Sequence, residues 1–240
     1  MVNKKKVIVI IPAHDEEEVI SALVKNIPFD LVDCKLVVDD ASVDATRENA
    51  ISCGAKVISH AQKMGCGPSI RTGIDYALKN GFEVAVVMAG NGKDDPFQIS
   101  NVLNPVVNGG FYFVQGSRYL KGGAWKNMPL HRIIGTRAYS ALFSILAGSV
   151  ITDGTNGFRA FSLKLFEDKN INIWQSWINN YELESYLYYK VVKLGYKFKE
   201  TPVSKIYPKN RPSGYTQMKH FSGWWSHFRP ILLLSLGIKK

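Results

Sequence analysis

The sequence predicts an α/β domain, a twisted and mostly parallel sheet with helices on both faces. Three observations carry that expectation. Apolar, β-branched runs such as residues 6–11 (KVIVII) have the pattern of strands buried on both sides. Strand-like and helix-like segments alternate with short connections through residue 117. Polar and acidic residues gather at the carboxyl ends of four of those strands, where sheets of this kind bind ligands.

Residues 6–11 form the first strand, and residues 16–25 a helix with Asp15 as its N-cap. Residues 35–40 (KLVVDD) form a second strand that ends in two acids. Ser42 or Asp44 caps the next helix, which runs through Ile51; Asp44 suits a start near Thr46. A short third strand covers residues 55–60. Residues 65–80 open with Gly65, Cys66 and Gly67 and continue as a helix, with Pro68 tolerated in its first turn. Residues 83–88 give a fourth strand, 97–108 a helix and 111–116 a fifth strand.

The second half is less regular. A loop over residues 122–129 precedes a helix over 130–148. Residues 152–160 (TDGTNGFRA) are a polar, Gly-rich segment between apolar ones. A helix over 181–194 has Glu182 and Glu184 near its start, and 196–203 is a last strand. Residues 207–218 form a basic, Pro/Gly-rich loop before a final helix. With neither repeat nor linker, one domain is expected. Residues 1–205 make the α/β unit, and 206–240 add a basic loop and an amphipathic C-terminal helix to it.

The 240 residues are 46% hydrophobic and 21% charged, which excludes a disordered chain. The net charge of +10 implies an anionic partner: nucleotide phosphates, anionic headgroups or nucleic acid. Nucleic acid is disfavoured, because the basic residues are dispersed and no recognised binding module is present. Cys34, Cys53 and Cys66 lack CxxC spacing, which argues against a zinc site or a disulfide framework and suits the cytoplasm. The N-terminal apolar run is too short for a signal-peptide core. No apolar run reaches the roughly 18 residues of a spanning helix. Residues 138–151 and the tail WWSHFRPILLLSLGIKK are nonetheless greasy. Each is read either as a buried helix or as a peripheral contact at the cytoplasmic membrane face.

The strand ends carry IPAHDEEEVI, VVDDASVDAT, VVMAGNGKDDP and GSRY, with GCGPSIRTG and DGTNGFRAF between and after them. In order and spacing over roughly residues 6–205, this set resembles the family 2 glycosyltransferases of GT-A (Rossmann-like) fold. Their dolichyl- and polyprenyl-phosphate sugar transferase branch is the most similar.

The resemblance implies that Pro12, Ala13, Glu16, Asp39 and Asp40 hold the base and ribose of a nucleoside diphosphate sugar. Carboxylates suit this, since they accept from base N–H groups or ribose hydroxyls. For Asp40 a turn or helix cap is the alternative; Asp39, still in strand register, is less easily a cap. Gly65 and Gly67 resemble a family loop whose backbone approaches the ligand. Arg71, one turn into that helix, either reaches a phosphate or is solvated. Arg118, in GSRY, faces either a phosphate or a loop acid. Asp153 and Arg159 match the family's acceptor-side motif, with Asn156 where Ser or Gly is usual. Asp153 then orders the loop or assists the acceptor, and Arg159 meets an acceptor phosphate or pairs with Asp153. Lys209 and Arg211 resemble a phosphate-contacting segment able to close as a lid.

The family holds Mg²⁺ or Mn²⁺ with an acid pair after the fourth strand. Aligning Met88 and Pro96 puts Ala89 and Asn91 at those two positions, with Lys93 just beyond. Three readings follow. Asn91 binds the metal with help from the donor diphosphate and Asp94 or Asp95, a neutral carbonyl being a feasible ligand for a hard cation. Lys93 offsets the leaving group's charge with no metal. Or the chain binds nucleotide sugars without catalysis.

If the resemblance holds, an acceptor oxygen displaces the nucleoside diphosphate with inversion, and the protein stabilises charge on the leaving phosphates. A polyprenyl phosphate acceptor needs no base. A hydroxyl of a cell-envelope glycan needs one, and Asp94, Asp95, Asp153 or Glu184 would serve. A nucleotidyltransferase is less favoured, because no Gly-rich phosphate loop follows the first strand.

Overall fold

The computed structural model describes residues 5–208 and 220–240. Nine strands and seven helices follow one another in the described chain. They are β1 (Val7–Ala13), α1 (Ile20–Asn26), β2 (Cys34–Asp39), α2 (Thr46–Ser52), β3 (Lys56–Ser59), α3 (Cys66–Lys79), β4 (Val84–Val87) and α4 (Ile99–Asn108). Then come β5 (Phe113–Ser117), β6 (Ala124–Lys126), α5 (Leu130–Ala147), β7 (Arg159–Ser162), α6 (Glu182–Lys193), β8 (Phe198–Pro202), β9 (Ser204–Ile206) and α7 (His220–Ser235).

Seven strands form one sheet in the order β3-β2-β1-β4-β7-β5-β8, and β6 pairs with β9 in a separate two-stranded sheet. Every pairing in the large sheet is parallel except those of β7, which runs antiparallel to β4 and β5. Alternation along β1 feeds two apolar layers. Ile8 and Ile10 pack on the face of α3, α5 and α6; Val7, Val9 and Ile11 pack on the face of α1, α2 and α4. Burial on both faces is why β1 reads as an uninterrupted apolar run. Helix α7 lies against α5 and α6. Among the described residues, no helix is long and apolar enough to cross a membrane.

Three sequence expectations change. Helix α1 begins at Ile20, with Val19 at its N-cap, and not at Glu16. Asp15 caps nothing there; it adopts φ +53° and its carboxylate accepts from the Val43 amide. The segment after β1 is thereby laced to the one after β2. Residues 159–162, expected at the end of a polar stretch, form β7. The predicted loop over 122–129 contains β6.

Candidate functional site

Parallel pairing of β1 with β2 sets Ala13 beside Asp39, so the predicted nucleoside-facing residues do meet at one sheet edge. Asp39 and Asp40 are both buried, yet their roles differ from expectation. Asp39 is the turn cap: its Oδ1 accepts from the Ser42 amide at 3.1 Å, and its other oxygen bonds no described residue. Asp40 builds the entry to α3. Its carboxylate accepts from the amides of Met64 (2.8 Å) and Gly65 (2.7 Å) and meets His60 Nδ1 at 2.8 Å. The Asp40 carboxylate is thus committed to the 60–65 loop, which corrects its reading as a base or ribose contact. Asp44 accepts from the Thr46 amide, the first of α2, although Ala45 and not Asp44 occupies the N-cap position. Thr46 Oγ1 in turn accepts from the Glu16 amide at 2.7 Å, which places Glu16, itself buried, beside the strand ends.

Two further expectations on α3 are corrected. A Cβ at Gly67 would lie 2.8 Å from the backbone of Asn179 and Asn180, so its missing side chain admits the protein's own chain and not a ligand. The Arg71 guanidinium donates to Ile173 O, Gln175 O and Asn179 Oδ1, which ties α3 to the 173–179 segment and away from any phosphate.

The turn after β4 packs onto the end of β1: a Cβ at Gly90 would meet Ala13 Cβ at 2.8 Å and Pro12 O at 3.0 Å. Within this turn Asn91 Oδ1 accepts from the Lys93 amide, and Asp95 Oδ1 from the Phe97 amide, capping a short 3₁₀ turn. Asp94 is buried with its Oδ1 on Lys205 Nζ at 2.6 Å, and the two residues also form a backbone bridge. Asp94 Oδ2 is buried without a partner. Lys93 is 7% exposed, and its ammonium faces the Tyr207 ring at 5.4 Å. Burial, with Lys205 and Arg132 nearby, brings Lys93 down to about 8 against the opposing pull of Glu16 and Asp94.

These residues do not fit the Mg²⁺ or Mn²⁺ that the resemblance implies. Ala89 offers no ligand, Asn91 and Asp95 serve their own turns, and Asp94 is paired with a lysine. Among the described residues no three His, Cys, Asp or Glu come together as a metal group. The carboxylate oxygens left over in the turn, Asp94 Oδ2 and Asp95 Oδ2, fall far short of the coordination shell that a hard cation demands.

Across Tyr207 lies a cationic cleft of about 50 Å³. Arg118, Arg132 and Lys205 line it with Thr136, Thr155 and Tyr207, and Trp224 and His227 of α7 close it. Arg118 is held from behind. Its Nε and Nη2 donate to Asp153 at 2.6 and 2.7 Å, its backbone amide adds a third bond, and the pair is almost fully buried. The carboxylate raises Arg118 further above its ordinary range. Asp153 therefore orders the loop, one of its two expected roles, and its engagement leaves no oxygen to act as a base. Arg118 keeps Nη1 for Tyr207 Oη (3.3 Å), and its Nη2 also reaches Thr155 Oγ1 (2.8 Å). Asn156 Oδ1 steadies Lys205 Nζ at 3.1 Å.

Arg159 is corrected as well. It is buried and pairs with Glu184 at 3.0 Å, and it donates to the carbonyls of Glu184 and Asn156, reaching neither Asp153 nor the cleft. Glu182 pairs with Arg229. Arg211 and Lys209 lie outside the described residues. Sequence reasoning missed Arg132, Thr136, Lys205 and Tyr207. The one available signal was the four-residue spacing of Arg132 and Thr136, which puts them on one helix face.

The strand order, with acids at the strand ends and a cationic cleft beside them, is that of a GT-A glycosyltransferase. The backbone matches that of glucosyl-3-phosphoglycerate synthase from Mycobacterium tuberculosis, in complex with Mn²⁺, uridine diphosphate and phosphoglyceric acid. The TM-score is 0.73 at 20% identity, covering 99% of this chain and 80% of that one, a likeness of fold. The chain belongs to glycosyl transferase family 2, whose profile matches residues 8–169. Its relatives place it in the polyprenyl-phosphate branch. It is 32% identical over 175 residues (66% of this chain, 70% of the relative) to the UDP-N-acetylglucosamine–dolichyl-phosphate N-acetylglucosaminyltransferase of Methanococcus voltae. It is 28% identical over 207 residues (83% and 77%) to the polyprenol monophosphomannose synthase of Mycolicibacterium smegmatis.

Proposed function

We propose that this glycosyltransferase moves a sugar from a nucleoside diphosphate sugar to the phosphate of a polyprenyl-type lipid. The cleft carries the reading. It presents three cations and three hydroxyls and no carboxylate, because Asp153 is consumed by Arg118. An acceptor hydroxyl would find no base there, whereas a phosphate monoester is already a nucleophile. The names of the relatives quoted above support the same class of acceptor.

The chemistry is an in-line displacement. An acceptor phosphate oxygen, oriented by Arg118 and Arg132, attacks the anomeric carbon. The bond from that carbon to the donor's β-phosphate oxygen breaks, and its electron pair leaves with the nucleoside diphosphate. Nothing in the cleft offers a nucleophilic carboxylate for a covalent sugar intermediate, so one displacement with inversion follows. On the donor side, Asp39 keeps a free oxygen for a ribose or base, next to Pro12, Ala13 and Glu16.

A lipid tail has a place to lie. Leu130 (70% exposed) and Ile134 (61%), one turn apart on α5, give the helix that carries Arg132 an exposed apolar strip; Trp225 (52%) stands on neighbouring α7 and Leu236 (70%) just past its end. This favours peripheral attachment at the cytoplasmic face of a membrane, apolar side chains entering the headgroup boundary and Lys239 and Lys240 meeting anionic lipid. Free Cys34, Cys53 and Cys66 suit that compartment.

The test is transfer from UDP-, GDP- and CDP-sugars to a short polyprenyl phosphate, with product anomer read by NMR. A glycosyl phospholipid of inverted configuration is expected. Transfer to a glycan hydroxyl but not to the lipid phosphate would refute the acceptor assignment.

A further inference from the structure

We infer that the Lys93 ammonium, and not a divalent cation, neutralises the donor diphosphate in this protein. The inference rests on the nucleotide-sugar reading above and deepens it. Lys93 stands two residues past Asn91, in the turn whose Gly90 packs on Pro12 and Ala13, and its ammonium feels both Glu16 on that side and Lys205 and Arg132 of the cleft. Its neighbours are already used: Asn91 Oδ1 takes the Lys93 amide, Asp94 Oδ1 takes Lys205, and Asp95 caps its own 3₁₀ turn. The Lys93 ammonium is the exception. It is buried, it makes no hydrogen bond to any described residue, and it lies over the face of Tyr207.

A desolvated ammonium with no hydrogen bond to a described residue, beside Lys205 and Arg132 and only partly offset by Glu16 and Asp94, has donors to spare for an anion. A divalent cation at the same spot would meet the charges of Lys93, Lys205 and Arg132 and, within the turn, only the spare oxygens of Asp94 and Asp95. A diphosphate meets the Lys93 ammonium as a donor, with Lys205 and Arg132 adding to the positive field. As the anomeric bond breaks, negative charge grows on the β-phosphate oxygens, and an ammonium fixed by burial stabilises that charge without reorganising.

The test is calorimetry with UDP, GDP and CDP on protein dialysed against EDTA, with and without Mn²⁺. One diphosphate should bind with the same Kd in both. Lys93→Ala should weaken it roughly 10- to 100-fold, as expected for loss of a charged hydrogen bond, while the matching nucleoside monophosphate loses less. Lys93→Met, which keeps the buried stem, should behave like Lys93→Ala, and a thermal melt checks that both fold. The triple variant Ala89→Asp, Asn91→Asp, Lys93→Gln should acquire Mn²⁺-dependent diphosphate binding. Binding that EDTA abolishes and Mn²⁺ restores, or that is unchanged in Lys93→Met, would overturn the inference. Failure of every diphosphate to bind would overturn it together with the donor reading. Metal-free, Lys93-dependent binding without transfer to any acceptor supports it and sinks only the transfer reading.

Discussion

Replacing Asp153 by asparagine tests the cationic cleft at its foundation. The carboxylate is fully buried and receives three hydrogen bonds from Arg118, two of them from the guanidinium in a bidentate pair. Asparagine keeps the shape but removes the charge and one acceptor. Arg118, 2% exposed, is then left as a buried cation without its counter-ion. Breaking such a pair costs about 3–5 kcal/mol, since the desolvation penalty of the surviving charge is no longer offset. For a chain of this size that is a fall in Tm of roughly 6–20 °C. Thermal unfolding followed by circular dichroism measures it. The double variant Arg118→Met, Asp153→Leu should recover most of the stability, because neither charge remains, yet should not turn over a polyprenyl phosphate. A Tm within about 2 °C of wild type for Asp153→Asn would mean that Arg118 is balanced elsewhere, and the account of the cleft would fail.

Other outcomes follow from the same geometry. Arg132→Ala should raise KM for the lipid phosphate by roughly tenfold or more and weaken nucleoside diphosphate binding by less, since a charged hydrogen bond is lost on the acceptor side and only a longer-range charge on the donor side. His227 is buried among Arg159, Arg132 and Arg118, which holds it down to about 3, so the folded protein keeps it neutral. The unfolded chain protonates it near its ordinary 6.5, so it contributes stability above that pH. That contribution is lost as pH falls from about 6.5 to about 3, by about 1.4 kcal/mol per pH unit. Denaturant titrations at pH 7, 6, 5 and 4 should show a shallower acid decline in His227→Phe. Asp40→Ala strips the acceptor from the amides of Met64 and Gly65; hydrogen exchange at those two amides should speed up, with about 1–3 kcal/mol of local protection lost.

The sheet was legible where burial repeats itself along the chain. Val7 to Ile11 or Val84 to Val87 must be apolar on both faces, and so no polar residue interrupts the pattern. β7 escaped because it opens with Arg159, whose charge is settled by Glu184 on α6, 25 residues away and invisible to any local window. The strand-end acids were legible as a group, but not in their roles. Asp39 and Asp40 differ in which loop amides reach them, a matter of tertiary approach. The cleft was least legible. Arg132 and Thr136 sit on a helix whose exposed Leu130 and Ile134 look unremarkable, and only the arrival of Lys205 and Tyr207 from β9 onward turns that helix face into a site. The missing acids at Ala89 and Asn91 were plain at once, whereas the disposition of Lys93 needed its surroundings.

The reversed strand β7 also acts as a spacer. Because Arg159 pairs with both Val87 and Gln115, the carboxyl ends of β4 and β5 stand two strand intervals apart, about 10 Å. The turn bearing Lys93 leaves one of those ends and Arg118 leaves the other. Running the opposite way, β7 delivers its leading loop, Asp153 and Asn156, into the gap and braces both Arg118 and Lys205. The spacing between the backbone roots of these two cationic residues is therefore set by strand pairing and not by side-chain adjustment.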